Sequence, residues 1–355
     1  MRVLHVAARL LLAVALMATA LRYPVDEVRG HVRELALLLL VVLPAMATVL
    51  AGGAVWLLQL PLGVALVLGA ALSPTDPVLA SGIVTGKPAE EDIPRTDRRL
   101  LSLESGFNDG LARPFVLLAI AAAAGGSLAS ELGRAMAEVL GGVSLGAAGG
   151  FVAGRAMRWA EQHREMNRAI RSLYTLVLAA FLLGAGGLLG VNDLLAVFVA
   201  GLVHGGVISS GDREREMAVD ETLNQFLVIP VFVLLGVVLP WDGWAELGWA
   251  GPGFVVVALL LRRLPVVVAL RRPLRASPAQ VTWLGWFGPI GVAAVLYLGQ
   301  AHQEGVTDPR LWTAGSLVVA VSTVVHAITA GPARLLYRRT GRLYASAGES
   351  ASGTV

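Results

Sequence analysis

Apolar runs recur along the whole chain, and short charged, Gly-containing or Pro-containing stretches separate them. Many of these runs approach the roughly 20 residues a helix needs to cross a hydrocarbon core of about 30 Å. The pattern predicts eleven helices, at 3–21, 33–56, 60–84, 99–124, 131–158, 170–189, 191–207, 222–240, 249–270, 278–301 and 310–336, with ends fixed to about two to four residues. The expected fold class is therefore an all-α polytopic membrane protein.

The predicted helix 60–84 carries Ser73-Pro74-Thr75-Asp76-Pro77 in its middle. Each proline removes a backbone N–H and pushes the residue before it away from helical angles, so a break is expected at Thr75–Asp76. Irregular backbone at membrane depth persists only inside protein or beside a wet cavity, and interrupted helices of this kind build substrate sites in secondary transporters. The next helix carries Glu104-Ser105-Gly106-Phe107-Asn108-Asp109. Asp76 lies ten residues before Gly86 and Asp109 ten after Arg99. At about 1.5 Å per residue both reach about 15 Å in, so the two motifs meet near the midplane.

A carboxylate there keeps its charge only with a partner, a cation or a proton. One site that accepts either a proton or a dehydrated alkali ion, never both, performs exchange. Ser105 lies four residues before Asp109 on the same helix face, and Thr75 and Asn108 offer further oxygen ligands. Arg113 stands four residues after Asp109, which leaves open a purely structural ion pair with that carboxylate.

Composition excludes other classes. The chain is 56% hydrophobic and 15% charged, with mean hydropathy +0.70, whereas a soluble domain is about a quarter charged. A pI of about 9.7 raises nucleic acid as a partner, but the Arg residues cluster between apolar runs and read as topology signals. With the loops numbered alternately, one face receives 23 of the 28 basic residues, among them Arg262 and Arg263; Arg2, Arg9, Arg113, Arg134 and Arg310 are left elsewhere. The positive-inside rule then puts the C-terminus in the cytoplasm, with 343–355 as a disordered tail. There is no cysteine, no phosphate-cradling Gly-Lys loop and no nucleophile-base arrangement, so thiolate metal chemistry, nucleotide binding and hydrolysis are not expected. Lipid is the expected partner, no cofactor is called for, and the chain is not read as an enzyme.

Lesser features have plainer readings. Gly142, Gly146, Gly150 and Gly154 recur every four residues and mark a close helix–helix contact. Asn192-Asp193 reads as an N-cap, and His204 and His326 as packing or interface residues. The run LLLAVALMATA after Arg2 ends in small residues as a signal peptide does, against the competing reading of a retained helix.

At its two polar motifs the chain resembles the sodium/proton antiporters of the monovalent cation:proton antiporter family, bacterial branch. Ser73-Pro74-Thr75-Asp76-Pro77, Glu104-Ser105 and Asn108-Asp109 carry the likeness most specifically; Leu195 to Leu202, Phe232 to Gly236 and Trp286-Phe287-Gly288-Pro289 extend it along the chain. The resemblance implies an inverted-repeat fold in which the helix broken at 73–77 crosses a second one broken around 288–291. It implies Asp109 as the ion- and proton-binding carboxylate, Asp76 as the charge that offsets helix ends at the crossing, and Thr75, Ser105 and Asn108 as the rest of the site. The Asn108-Asp109 pair resembles the electroneutral branch, so Na+, Li+ or K+ would exchange for H+ charge for charge.

It further implies core helices at 33–124 and 249–336, scaffold and dimer helices at 3–21 and 170–240, and a linker helix at 131–158. A homodimer is implied where two further N-terminal helices precede this chain, which reads as N-terminally short. The family pattern also carries an Arg just after the Gly-Pro, the partner of the glutamate at Glu104. Here that position is Ile290, and Arg113 is expected to replace it as the partner of Glu104. A transport-inactive membrane protein derived from such an antiporter is the alternative function.

Overall fold

The computed structural model describes residues 2–23, 25–163, 168–208, 222 and 226–352, and within them all regular structure is helical. In chain order the main helices are α1 (Arg2–Arg22), α2 (Val32–Leu58), α3 (Leu62–Ala71), α4 (Pro77–Val84), α5 (Arg95–Ala123), α6 (Leu128–Gln162) and α7 (Arg168–Leu189). They continue with α8 (Asp193–Val207), α9 (Phe226–Val237), α10 (Ala250–Ala269), α11 (Pro278–Trp286), α12 (Val292–Gln303) and α13 (Pro309–Ser352). Five of the described helices are long and apolar enough to cross a membrane alone: α1, α2, α6, α10 and α13.

The expected break in 60–84 separates α3 from α4, with irregular backbone at 72–76. The expected interruption in 278–301 separates α11 from α12 in the same way. Pro77 opens α4, where its missing N–H costs nothing. The two interruptions touch, because the Asp76 N–H donates to the Pro289 carbonyl at 2.9 Å. Each broken helix is preceded by a helix containing a five-residue π-turn, Leu38–Val42 in α2 and Val257–Leu261 in α10.

Close approach governs the packing around α6. A Cβ on Gly142, Gly146 or Gly150 would run into the backbone of Asn192, Ala196 or Ala200 on α8, so the glycine stripe lets two backbones meet directly, as expected. The first helix lies inside the bundle, with Leu11, Leu12, Leu16 and Met17 fully buried, and packs against α8 and α12.

α5 runs unbroken through Pro114. A proline there cannot donate to the carbonyl of Gly110, one turn back. The Asn192 amide does so instead, at 2.7 Å. The helix survives because a neighbour replaces the lost hydrogen bond.

Two sequence readings need amendment. Arg262 and Arg263, assigned to a basic loop, sit within the α10 span and are 2% and 1% exposed. The last helix continues to Ser352, past 343 where a disordered tail was expected. Arg164, Arg213 and Arg215 of the expected basic loops, and residues 353–355, lie outside the described residues. Arg9, Arg113, Arg134 and Arg310, left on the sparsely basic face, are each paired with a carboxylate: Arg9 with Asp193, Arg113 with Glu138 and Asp193, Arg134 with Glu138, and Arg310 with Asp308. Those pairs explain how a face poor in basic residues still holds some. In the last, Arg310 donates to Asp308 at 2.7 Å and holds its carboxyl below the usual carboxylate range.

Candidate functional site

Breaking two helices inside a bundle leaves four helix ends in the middle of the protein. The starts of α4 and α12 expose N–H groups with a partial positive charge, and the ends of α3 and α11 expose carbonyls with a partial negative one. Asp76 answers the first pair. One carboxylate oxygen accepts from the N–H groups of Val78 at 2.7 Å and Leu79 at 3.1 Å, and the other accepts from the N–H of Val292. A single side chain thus caps both N-termini.

Arg262 answers the second pair. Its guanidinium donates to the carbonyls of Leu72 at 2.8 Å and Ser73 at 3.1 Å on one side of the crossing, and to that of Gly288 on the other. From α13, Ser322 accepts from the Ile290 N–H at 2.8 Å, and His326 Nε2 sits 3.0 Å from the Trp286 carbonyl. Sequence reading gave His326 a packing or interface role; its ring stacks on Trp286 and also reaches the helix break. His204 is buried with its ring against Tyr174, consistent with packing. Asn192 accepts from Leu195 N–H at 3.1 Å, the N-cap expected of it.

The Thr75 hydroxyl gathers the polar residues of α5. It lies 2.9 Å from Ser105 Oγ, accepts from Asn108 Nδ2 at 2.7 Å and donates to Glu104 at 3.3 Å. Asn108 Oδ1 accepts from the Thr75 N–H at 3.2 Å, and Asn108 Nδ2 also donates to Glu104 at 2.9 Å. Thr75, Glu104, Ser105 and Asn108 are all fully buried. Gly288 makes this proximity possible: a Cβ there would stand 2.8 Å from Thr75 Cγ2 and 2.7 Å from Arg263 Cδ.

Asp109 is different. Its side chain is fully buried, yet neither carboxylate oxygen has a hydrogen-bond partner, while Tyr297 donates its hydroxyl to the Asp109 backbone carbonyl. A buried carboxylate without donors requires a proton or a cation. The arrangement is therefore a carboxylate free to accept one, beside a crossing whose own charges are already balanced.

The expected ion pair between Glu104 and Arg113 is not what forms. Glu104 is held in a two-pronged pair by Arg263, with Nη1 to Oε1 at 2.8 Å and Nη2 to Oε2 at 3.1 Å, while Arg263 Nε donates to the Leu284 carbonyl at 2.7 Å. Arg113 reaches Glu138 at 3.1 Å and Asp193 at 3.5 Å, so neither Glu104 nor Asp109 is its ion-pair partner. Ile290 packs fully buried where an Arg was expected. The physical reason is one of reach: α10 and α5 flank the crossing together, whereas Arg113, nine residues beyond Glu104 on α5, lies about 13 Å further along its axis.

The available signal was an inconsistency in the sequence itself. Arg262 and Arg263 fall inside an apolar run that resumes as LPVVVAL, and two arginines in mid-span need buried acceptors.

Asp76→Asn tests the capping role. The amide keeps one acceptor oxygen but turns an NH2 group towards a backbone N–H, so the loss should be about 1–2 kcal/mol of stability and most of any transport. A variant that melts and transports like wild type would remove Asp76 from the architecture of the crossing.

Interrupted helices that meet beside a buried, unpartnered carboxylate are the arrangement on which ion-coupled secondary transporters build their sites. The chain belongs to the transmembrane sodium/hydrogen exchanger family, whose model matches residues 1–334. It is 33% identical over 302 residues to Na(+)/H(+) antiporter 2 of Zygosaccharomyces rouxii, covering 81% of this chain and 37% of that protein. It is 31% identical over 353 residues to a Na(+)/H(+) antiporter of Schizosaccharomyces pombe, covering 90% and 74%. The chain spans only 32% to 40% of the length of three of its yeast relatives. Its fold is that of the sodium proton antiporter MjNhaP1 from Methanocaldococcus jannaschii, with a TM-score of 0.70 at 16% identity over 94% of this chain and 85% of the other.

Proposed function

We propose that this chain exchanges Na+, or Li+ or K+, for H+ across a bacterial inner membrane, with cation and proton competing for Asp109. The single observation that carries this reading is the fully buried Asp109 carboxylate with no donor to either oxygen. Thr75, Ser105 and Asn108 shape the site, Asp76 and Arg262 balance the helix ends around it, and Arg263 neutralises Glu104. With one titrating carboxylate, one charge leaves as one arrives, so exchange is electroneutral and a membrane potential, worth about 2.3 kcal/mol per charge per 100 mV, neither drives nor opposes it.

The moving carrier is the unit 33–124 and 249–336, the scaffold is 3–21 and 170–240, and 131–158 links them. The Arg-rich face is cytoplasmic, and that bias survives the removal of Arg262 and Arg263 from it. The protein works in lipid, as a homodimer where two further N-terminal helices precede this chain, without a resident cofactor.

Everted membrane vesicles test the reading. Adding Na+, Li+ or K+ to acidified vesicles should raise the internal pH only where this chain is present, at a rate that an imposed potential leaves unchanged. No cation-dependent pH change would overturn antiport, and a potential-dependent rate would overturn electroneutrality.

A further inference from the structure

Arg113 is the one charged side chain of α5 beyond Asp109, one turn further along the helix and away from the Arg-rich face. It bridges three helices, with Nε 3.1 Å from Glu138 on α6 and Nη1 3.5 Å from Asp193 at the start of α8. Asp193 is buried and fixed by two other groups. Its second oxygen is held by Arg9 of α1, and its first accepts from the Leu194 N–H at 2.8 Å. Glu138 is likewise held, by Arg134 at 3.2 Å, and its backbone carbonyl accepts from the Asn192 N–H at 3.0 Å. The carboxylates that receive Arg113 are thus already anchored to one another and to α1.

The neighbouring hydrogen bond adds to this. Asn192 donates to the Gly110 carbonyl, which Pro114 cannot serve. If α5 moved along its axis relative to α8, that carbonyl would lose its partner in the same step in which Arg113 left its carboxylates. Two polar contacts between the carrier and its surroundings therefore break together, within four residues of Asp109.

We infer that Arg113, with Asp193, Glu138 and the Asn192–Gly110 hydrogen bond, forms a latch. It holds α5 against α6 and α8 and closes the approach to Asp109 from the face opposite the Arg-rich one. The carrier and scaffold assignment rests on the antiport reading above; the contacts themselves do not. Arg113 is a positioning residue in this role, since it touches neither carboxylate oxygen of Asp109. Opening to that face requires the guanidinium to leave two acids, and the removal of its charge shifts the population towards the open state.

The chain contains no cysteine, so one introduced thiol reports the opening. Ala112 is fully buried and lies three residues after Asp109, on the same face of α5 towards the latch. Ala112→Cys should react slowly with a membrane-impermeant maleimide applied from the face opposite the Arg-rich one. Adding Arg113→Met, which keeps the length and loses the charge, should raise that rate about five-fold or more, the factor that a shift of about 1 kcal/mol produces. Arg113→Lys, which keeps the charge, should leave it slow. Equal labelling in the Arg113→Met and Arg113 backgrounds, or fast labelling in Arg113→Lys, would overturn the latch.

Transport separates this result from the antiport reading. In vesicles of each orientation, Arg113→Met should lower the apparent KM for Na+ on the latch face and raise it on the other. An equal change in the same direction on both faces would mark a site or folding defect and overturn the latch. If labelling follows the charge at 113 while wild type shows no cation-dependent pH change, the latch stands and antiport falls. If wild type exchanges and labelling ignores position 113, antiport stands and the latch falls.

Discussion

Asp109→Asn is expected to reduce cation-driven proton movement in vesicles to the level of vesicles without the protein, while the folded chain melts at or above the wild-type temperature. Asparagine has nearly the shape of aspartate but can neither hold the exchanged proton nor neutralise a dehydrated cation. Stability should not fall, because the substitution removes a buried ionisable group that makes no hydrogen bond through its carboxylate. The backbone bond from Tyr297 to the Asp109 carbonyl does not involve the side chain and is unaffected. Comparison of vesicle transport and thermal melting on the same preparation checks both halves. Appreciable exchange in Asp109→Asn would move the proton-carrying role to another buried acid; a marked fall in melting temperature would mean that Asp109 is a structural residue.

Arg263→Ala is expected to be the most destabilising single change around the site. Both partners are essentially unexposed, at 1% and 0% for the two side chains. Removal of one half of a buried pair leaves the other half as an uncompensated charge, at a cost of about 3–5 kcal/mol. Glu104 cannot simply be released to water, since it also accepts from Asn108 and Thr75, so the disturbance reaches the site directly. Glu104→Gln should destabilise as well, because it leaves the buried Arg263 guanidinium as the uncompensated charge, although the amide oxygen still accepts one bond from it. Placing Arg263→Ala on the Glu104→Gln background should therefore cost clearly less than Arg263→Ala alone. Thermal melting of the four proteins in detergent measures that coupling. Additive effects would mean that the pair does not act as a unit, and a silent Arg263→Ala would return Glu104 to some other partner.

The break at Thr75–Asp76 was legible in the sequence because its cause is local, whereas the one around 288–291 was implied by the family resemblance. Pro74 and Pro77 forbid helix continuity whatever surrounds them, and depth counting from Gly86 and Arg99 brings Asp76 and Asp109 to one level without knowledge of the packing. The cluster of Thr75 with Glu104, Ser105 and Asn108 follows from the same two facts, since residues at i, i+1 and i+4 of α5 meet a break at equal depth. The glycine stripe and the Asn192 cap were legible for similar reasons.

The partners of the arginines were not. A long guanidinium reaches across to whichever helix is adjacent, and adjacency is a property of the assembled bundle. Arg113 stood at helical spacing from Asp109, and sequence distance favoured a nearby acid; the bundle presents it with Glu138 and Asp193 instead. Arg262 and Arg263 read as a loop because two arginines at the end of an apolar run look the same whether they face lipid headgroups or the carbonyl ends of two broken helices.

The sequence by itself determined that the chain crosses a membrane many times, that one helix breaks at Thr75–Asp76, and that buried carboxylates stand beside the break, because hydrophobic length, proline chemistry and the cost of charge in hydrocarbon act locally along the chain. Only the tertiary structure decided which charges neutralise one another. It gave Asp76 and Arg262 the opposite ends of the crossed helices, matched Arg263 to Glu104, drew Arg113 away to α6 and α8, and left Asp109 as the buried carboxylate at the crossing with no donor. The physical reason is that Coulomb energy and hydrogen bonds depend on distances of a few ångströms between helices that the sequence leaves far apart.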